Sequence, residues 1–71
     1  MRHATSPLHG EVDHIRFRMV RFGPTESNEC PLWQVEVAEG GLGEVWEDRP
    51  RSRAQLLKAG ADIVRDWAKR G

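Results

Sequence analysis

The sequence has a single cysteine, no tyrosine and no excess of charge of either sign. Cys30 cannot form an internal disulfide, whereas small secreted domains usually carry several cysteines. No apolar run approaches the roughly 20 residues of a membrane-spanning helix, and the first ten residues lack the apolar stretch of a signal peptide. Eleven basic and eleven acidic residues give zero net charge, so there is no general attraction to nucleic acid or anionic lipid. We expect a cytoplasmic protein with no membrane partner.

Motifs for catalysis, metal binding and cofactor binding are also missing. The chain has 71 residues, which is one domain at most and leaves little scaffold for a deep active-site cleft. His3, His9 and His14 do not follow a known metal-ligand spacing. The glycines of Gly40–Gly43 suit a hairpin turn and not a phosphate-binding loop, which joins a strand to a helix. The sequence predicts no catalytic residues, no metal, no cofactor and no enzymatic activity.

Hydrophobic alternation predicts three strands. Residues 1–13 show no period and are predicted to form a flexible arm, which leaves 14–71 as a single domain. Ile15, Phe17 and Met19 alternate with arginines, as in a half-buried strand. The phase slips at Val20, which indicates either a β-bulge near Met19–Val20 or an end that is apolar on both faces. The two later strands are predicted at 32–38 and 44–48, after a loop at 23–31 and a glycine turn at 40–43.

A helix follows the third predicted strand. Ser52 and Gln55 match a capping box, and Gly71 is a natural stop. An apolar stripe at helical spacing comprises Leu56, Leu57, Gly60, Ile63, Val64, Trp67 and Ala68. Gly60 lies within that stripe, which predicts close approach of the helix to the sheet. The predicted fold is a two-layer α+β domain, a three-stranded antiparallel sheet with one C-terminal helix packed on one face (βββα).

The charges are unevenly distributed along the chain. Residues 1–22 carry four arginines and two acids, and residues 49–71 carry seven bases and two acids. Residues 23–48 carry seven acids and no base. Such a segment can dock on a basic surface of a partner protein, or it can simply add solubility and pair with the arginine strand. The predicted partner-binding residues are Glu36, Glu39, Glu44, Glu47 and Asp48.

Arginines surround the predicted start of the helix. Arg49, Arg51 and Arg53 oppose the helix dipole, so they form an alternative anion-binding site together with the free N–H groups of the first turn. Pairing with the nearby acids of the third strand is the simpler interpretation. Arg16, Arg18 and Arg21 on the first predicted strand extend the basic alternative to a nucleic-acid-binding surface.

One helix covers only one face of a sheet. Val20, Phe22 and one of Val45 or Trp46 are then expected on the other face, because the pattern does not decide which of the last two points inward. An uncovered apolar patch usually marks an interface. The sequence therefore predicts an interface at Phe22 and Trp46, with formation of a homodimer through the open sheet face as one way to cover it.

The stretch from Trp33 to Lys69 resembles small bacterial and phage domains in which a W-x-V hairpin precedes an alanine-rich helix. The matching pieces are Trp33-Gln34-Val35, the Gly40–Gly43 turn and the alanines at 54, 59 and 61. In size and architecture the chain is similar to phage-encoded inhibitors of host defence, anti-CRISPR proteins among them. The resemblance implies a small inhibitor, and it carries over no functional residue.

The sequence thus supports two main functional hypotheses. The first is a non-catalytic interaction protein that binds and masks a macromolecular partner through its acidic hairpin. The alternative is a small nucleic-acid-binding regulator that uses the arginines. A structural subunit of a larger assembly is a third class, and the sequence does not separate it from the first.

Overall fold

Within the residues that the structure describes, the fold consists of a four-stranded antiparallel sheet and one helix. The computed structural model describes residues 6–23 and 30–70. The elements are β1 (Leu8–Val12), β2 (Ile15–Phe22), β3 (Leu32–Val37), β4 (Gly40–Trp46) and α1 (Arg53–Lys69). The strands lie in the order β1-β2-β3-β4, and α1 contacts all four of them. The predicted α+β class with an antiparallel sheet and one C-terminal helix is confirmed, but the predicted number of strands is wrong.

The additional strand is β1, within the segment predicted to be a flexible arm. It pairs with β2 from Leu8 opposite Met19 to Val12 opposite Ile15. Asp13 and His14 connect the two strands with positive φ angles of 51° and 67°, the backbone of a tight two-residue hairpin turn. The prediction of an arm is therefore wrong for Leu8–Val12, while residues 1–5 lie outside the described residues.

A glycine at the centre of β1 removes the apolar alternation that would have predicted this strand. Gly10 occupies the core-facing position between Leu8 and Val12, where a strand pattern would show an apolar side chain. The Phe17 ring fills that position, because a Cβ on Gly10 would lie 2.5 Å from Phe17 Cζ. An aromatic ring lying over a strand glycine is a known device for stabilising an edge strand.

The core lies between α1 and the face of the sheet that it covers. Its buried residues are Val12, Phe17, Met19, Trp33, Val35, Val45, Leu56 and Val64. The predicted apolar stripe of the helix is present, with Leu56, Gly60 and Val64 buried, Trp67 half-buried and Ala68 exposed.

The helix begins and packs as its sequence predicts. Gln55 donates its backbone N–H to Ser52 Oγ at 3.1 Å, and the Ser52 N–H donates to Gln55 Oε1 at 2.8 Å. Gly60 lies against β2, because a Cβ there would be 2.7 Å from Met19 Sδ. The predicted stop at Gly71 lies outside the described residues.

The irregularity of the sheet lies in β4 and not in β2. Val35 pairs with Gly43 while Glu36 pairs with Gly41, so Leu42 is the extra residue of a β-bulge. The strand β2 pairs with β3 without a shift, and its last apolar side chains, Val20 and Phe22, lie on the face opposite Met19 and Arg21. The predicted bulge near Met19–Val20 is therefore absent from β2, and the alternative of an end that is apolar on both faces holds only in part, because Arg21 lies on the helix side. The predicted loop at 23–31 lies mostly outside the described residues.

The substitution Gly10→Ala tests whether β1 packs as a strand. The change places a methyl group within 2.5 Å of the buried Phe17 ring, and overpacking of this kind costs about 1–3 kcal/mol. Gly41→Ala is the matched control on the opposite edge strand, since its Cβ meets only the Gln34 side-chain amide at 3.1 Å. Urea unfolding should show a lower midpoint for Gly10→Ala and a nearly unchanged one for Gly41→Ala. If the two midpoints are equal, Gly10 is not packed against Phe17, and the prediction of a flexible arm would again be the better interpretation.

Candidate functional site

The face of the sheet opposite α1, here called the open face, carries no packed element among the residues that the structure describes. Side chains alternate between the two faces of each strand, and the registers arrange those of the open face in four rows. The rows are Phe22–Leu32–Trp46, then Val20–Gln34–Glu44, then His9–Arg18–Glu36, and finally Glu11–Arg16. One end of the open face is therefore apolar and the other end is charged.

The apolar end contains the two most exposed large hydrophobic side chains of the described residues. Phe22 is 49% exposed and Trp46 is 41% exposed, and both pair with Leu32 on the central strand β3. Val20 lies half-buried in the next row. Val45 is buried in the core, so the structure points Trp46 outward. Sequence reasoning did not name Leu32, although its alternation with Trp33 assigns it to this face.

The charged end is organised by cross-strand ion pairs. Arg18 Nε donates to Glu36 Oε1 at 2.7 Å, and a terminal guanidinium nitrogen of Arg18 donates to the same oxygen. Arg16 Nε lies 3.9 Å from Glu11 Oε1. The predicted pairing between the arginine strand and the acidic strand is therefore present. The sequence did not assign Glu11 and His9 to this face, because residues 1–13 were predicted to form an arm.

The structure does not bring the five predicted acidic residues together on one surface. Glu36 is paired with Arg18, and Asp48 Oδ1 lies 3.7 Å from an Arg51 terminal nitrogen. Glu47 accepts a 2.9 Å hydrogen bond from Nε1 of the buried Trp33, so its carboxylate is bound to a core residue of the sheet. The five acids therefore do not form one continuous surface, because the alternation of β4 sends its acids in different directions; binding of a partner through them stays a prediction.

Two of the five acids remain available for an external partner. Glu39 lies in the turn between β3 and β4, and Glu44 lies on the open face in the row next to Trp46. Both are exposed, and neither makes a side-chain hydrogen bond or ion pair within 6–23 and 30–70. The acids at 26 and 29 lie outside the described residues.

The predicted basic residues divide into two groups. Arg16 and Arg18 lie on the open face, whereas Arg21, Arg51 and Arg53 line a groove of about 320 Å³ at the start of the helix. Trp33, Glu47, Leu8 and Leu56 complete the lining of that groove. The Arg51 side chain is only 28% exposed, and its Nε is buried without a hydrogen-bond partner among the described residues.

Arg49 does not join these arginines in their groove. It is exposed and lines a separate shallow depression with Pro50, Arg51 and Gln55. Of the three arginines predicted as one anion site, the structure therefore places Arg51 and Arg53 together and Arg49 beside them.

The rest of the described chain offers no further site chemistry. No cluster of three or more His, Cys, Asp or Glu side chains in residues 6–23 and 30–70 could hold a metal ion. In the same part of the chain, no helix has both the length and the apolar character needed to cross a membrane. Comparisons with protein-family models, with curated proteins and with solved structures find no match to this chain.

Removal of the Glu47 carboxylate should destabilise the fold. Glu47→Ala leaves Trp33 Nε1 half-buried without its acceptor, and loss of a hydrogen bond to a charged group costs about 1.5–3 kcal/mol. Glu44→Ala is the control on the same strand and should change stability by less than about 0.5 kcal/mol. Thermal unfolding followed by tryptophan fluorescence compares the two variants. If both variants are equally stable, the Glu47 carboxylate does not stabilise the fold and counts again among the surface acids available for docking.

Proposed function

We propose that this protein is a non-catalytic interaction module that binds a protein partner through the open face of its sheet. The observation that carries the proposal is the row Phe22–Leu32–Trp46, in which both aromatic side chains are more than two-fifths exposed. An exposed apolar patch bordered by polar residues is typical of an interaction surface. Exposed tryptophan is enriched among the residues that contribute most to binding energy.

The charges beside the apolar row define the chemistry of the partner. Glu44 lies in the adjacent row and has no ion-pair partner within the described residues. A basic side chain on the partner would form an ion pair with Glu44. Such a pair orients the partner on the surface and raises the rate of association. The partner therefore presents an apolar patch with a basic group next to it. This proposal keeps the basic partner expected from the sequence and replaces the acidic hairpin by the open face as the binding surface.

Binding and masking of a partner is also the activity implied by the resemblance to phage-encoded inhibitors. That resemblance rests on size and architecture, and it stays a prediction. A small sheet with one covered face can act in this way without a catalytic group, since occupying a partner's surface is sufficient for inhibition.

The second candidate function is binding of nucleic acid or another anion. Its specific support is the convergence of Arg21, Arg51 and Arg53 on one groove, together with the buried Nε of Arg51, which has no hydrogen-bond partner among the described residues. The arginines of the open face do not reinforce that groove, because Arg18 and Arg16 have acidic neighbours on their own face. The apolar row is therefore the better supported surface.

Partner binding should depend on the two exposed aromatic residues. The double variant Phe22→Ser and Trp46→Ser removes most of the apolar row, and loss of such anchors costs about 2 kcal/mol or more of binding energy. Lys58→Ser and Lys69→Ser form the control, because both lysines are exposed on α1. Quantitative affinity capture from a cell extract, followed by titration calorimetry with the purified captured protein, measures binding.

The control variant should bind as the wild type does, and the aromatic variant should lose the partner. Circular dichroism first establishes that all three proteins are folded. If the aromatic variant retains full affinity for the purified partner, the open face is not the binding surface.

Duplex nucleic acid distinguishes the second candidate from the first. Fluorescence anisotropy with a short random duplex DNA, and separately with RNA, is compared at low and moderate salt for wild type and for the Arg21→Gln, Arg53→Gln variant. We expect only weak non-specific binding, with dissociation constants above about 1 μM. Tighter, strongly salt-dependent binding that is lost in the arginine variant would favour the nucleic-acid-binding function.

A further inference from the structure

The open face carries opposite charges on its two halves. The half formed by β1 and β2 contributes Arg16 and Arg18, and the half formed by β3 and β4 contributes Glu36 and Glu44. Glu11 is the exception on the basic half, and it lies near Arg16 at the far end from the apolar row. Both halves share the apolar row, since Phe22 lies on β2 and Trp46 on β4.

This distribution is complementary to itself. A two-fold axis that runs parallel to the strands between β2 and β3 exchanges the two halves of the open face. It places β2 of one copy across β3 of a second copy. Arg18 then faces Glu36 of the second copy, and Phe22 faces Leu32 of the second copy. A two-fold interface requires one patch that complements its own image, and this face meets that condition in charge and in apolar character.

We infer that the protein partner bound by the open face is a second copy of this chain. The inference rests on the proposed function, because it uses the same face and names its occupant. The second copy supplies the chemistry that the face requires, namely an apolar row with basic side chains beside it. Two sheets packed face to face lie about 10 Å apart, a distance that side chains from both sheets fill.

The existing ion pair adds to this arrangement. Arg18 and Glu36 are already paired within one chain. When two copies face each other, the direction from Arg18 to Glu36 in one copy is opposite to that direction in the second copy. Each guanidinium then lies beside two carboxylates, and each carboxylate lies beside two guanidinium groups. In the next row, Glu44 lies diagonally across from Arg18 of the second copy. In the apolar row, Trp46 lies next to Phe22 of the second copy, which covers both exposed rings.

Charge exchange between positions 18 and 36 tests the inference directly. Arg18→Glu alone gives a face with only acids at these positions, and Glu36→Arg alone gives one with only bases. Each single variant should raise the dissociation constant of the homodimer about a hundredfold, because like charges then face each other. An equimolar mixture of the two should form a heterodimer, since every facing pair is again of opposite sign.

The double exchange Arg18→Glu, Glu36→Arg is the positive control. It keeps an ion pair within the chain and opposite charges across the axis, so it should dimerise as the wild type does. Sedimentation equilibrium and native mass spectrometry measure the masses, and circular dichroism establishes that each variant is folded. The Phe22→Ser, Trp46→Ser variant should be monomeric at concentrations where the wild type is dimeric.

Failure of this inference differs from failure of the proposed function. A monomeric wild type, or a mixture of the single variants that does not form heterodimers, overturns the second copy as the occupant. If Phe22 and Trp46 are then still required for capture of another protein, the open face remains the binding surface. A dimer that is unaffected by changes at Phe22, Trp46, Arg18 and Glu36 uses another face and also overturns the second copy as the occupant of the open face. The proposed function is overturned only if the Phe22→Ser, Trp46→Ser variant keeps full affinity for a captured protein.

Discussion

The packing of Phe17 between two glycines is the contact on which the rest of the structure depends. A Cβ on Gly10 of β1 would lie 2.5 Å from this ring, and a Cβ on Gly60 of α1 would lie 3.0 Å from it. One side chain of β2 therefore joins the edge strand and the helix to the centre of the sheet. Since the helix is held against this face, the opposite face is left to Phe22 and Trp46.

Much of the fold follows from patterns that residues show locally. The capping box at Ser52 and the stripe through Leu56 and Val64 predict the helix, and alternation predicts the cores of β2 and β3. The strand β1 does not follow from such a pattern, because the apolar group at position 10 belongs to Phe17, a residue seven positions later. The inward direction of Val45 depends on the extra residue Leu42 in β4, and no local pattern indicates a bulge among glycines.

The site shows a similar division between local and tertiary information. Exposure of Phe22 follows from counting faces, since one helix covers one side of the sheet, whereas the outward direction of Trp46 depends on the bulge at Leu42. Charge along the chain is less informative, because antiparallel pairing places the acidic strand β3 beside the basic strand β2 and joins Glu36 to Arg18. The role of Glu47 depends on the Trp33 indole, 14 residues away. A run of acids in sequence is thus a poor guide to a surface when its members alternate between sheet faces.

The bulge at Leu42 also limits how this chain can assemble. Among the described residues its sheet ends in two edge strands, β1 and β4. An edge of regular N–H and C=O groups is a template for the addition of further strands. The register shift between Val35 and Glu36 bends and twists β4 and breaks the regular spacing along this edge. Growth into a continuous fibre through β4 is disfavoured, while the face of the sheet is untouched.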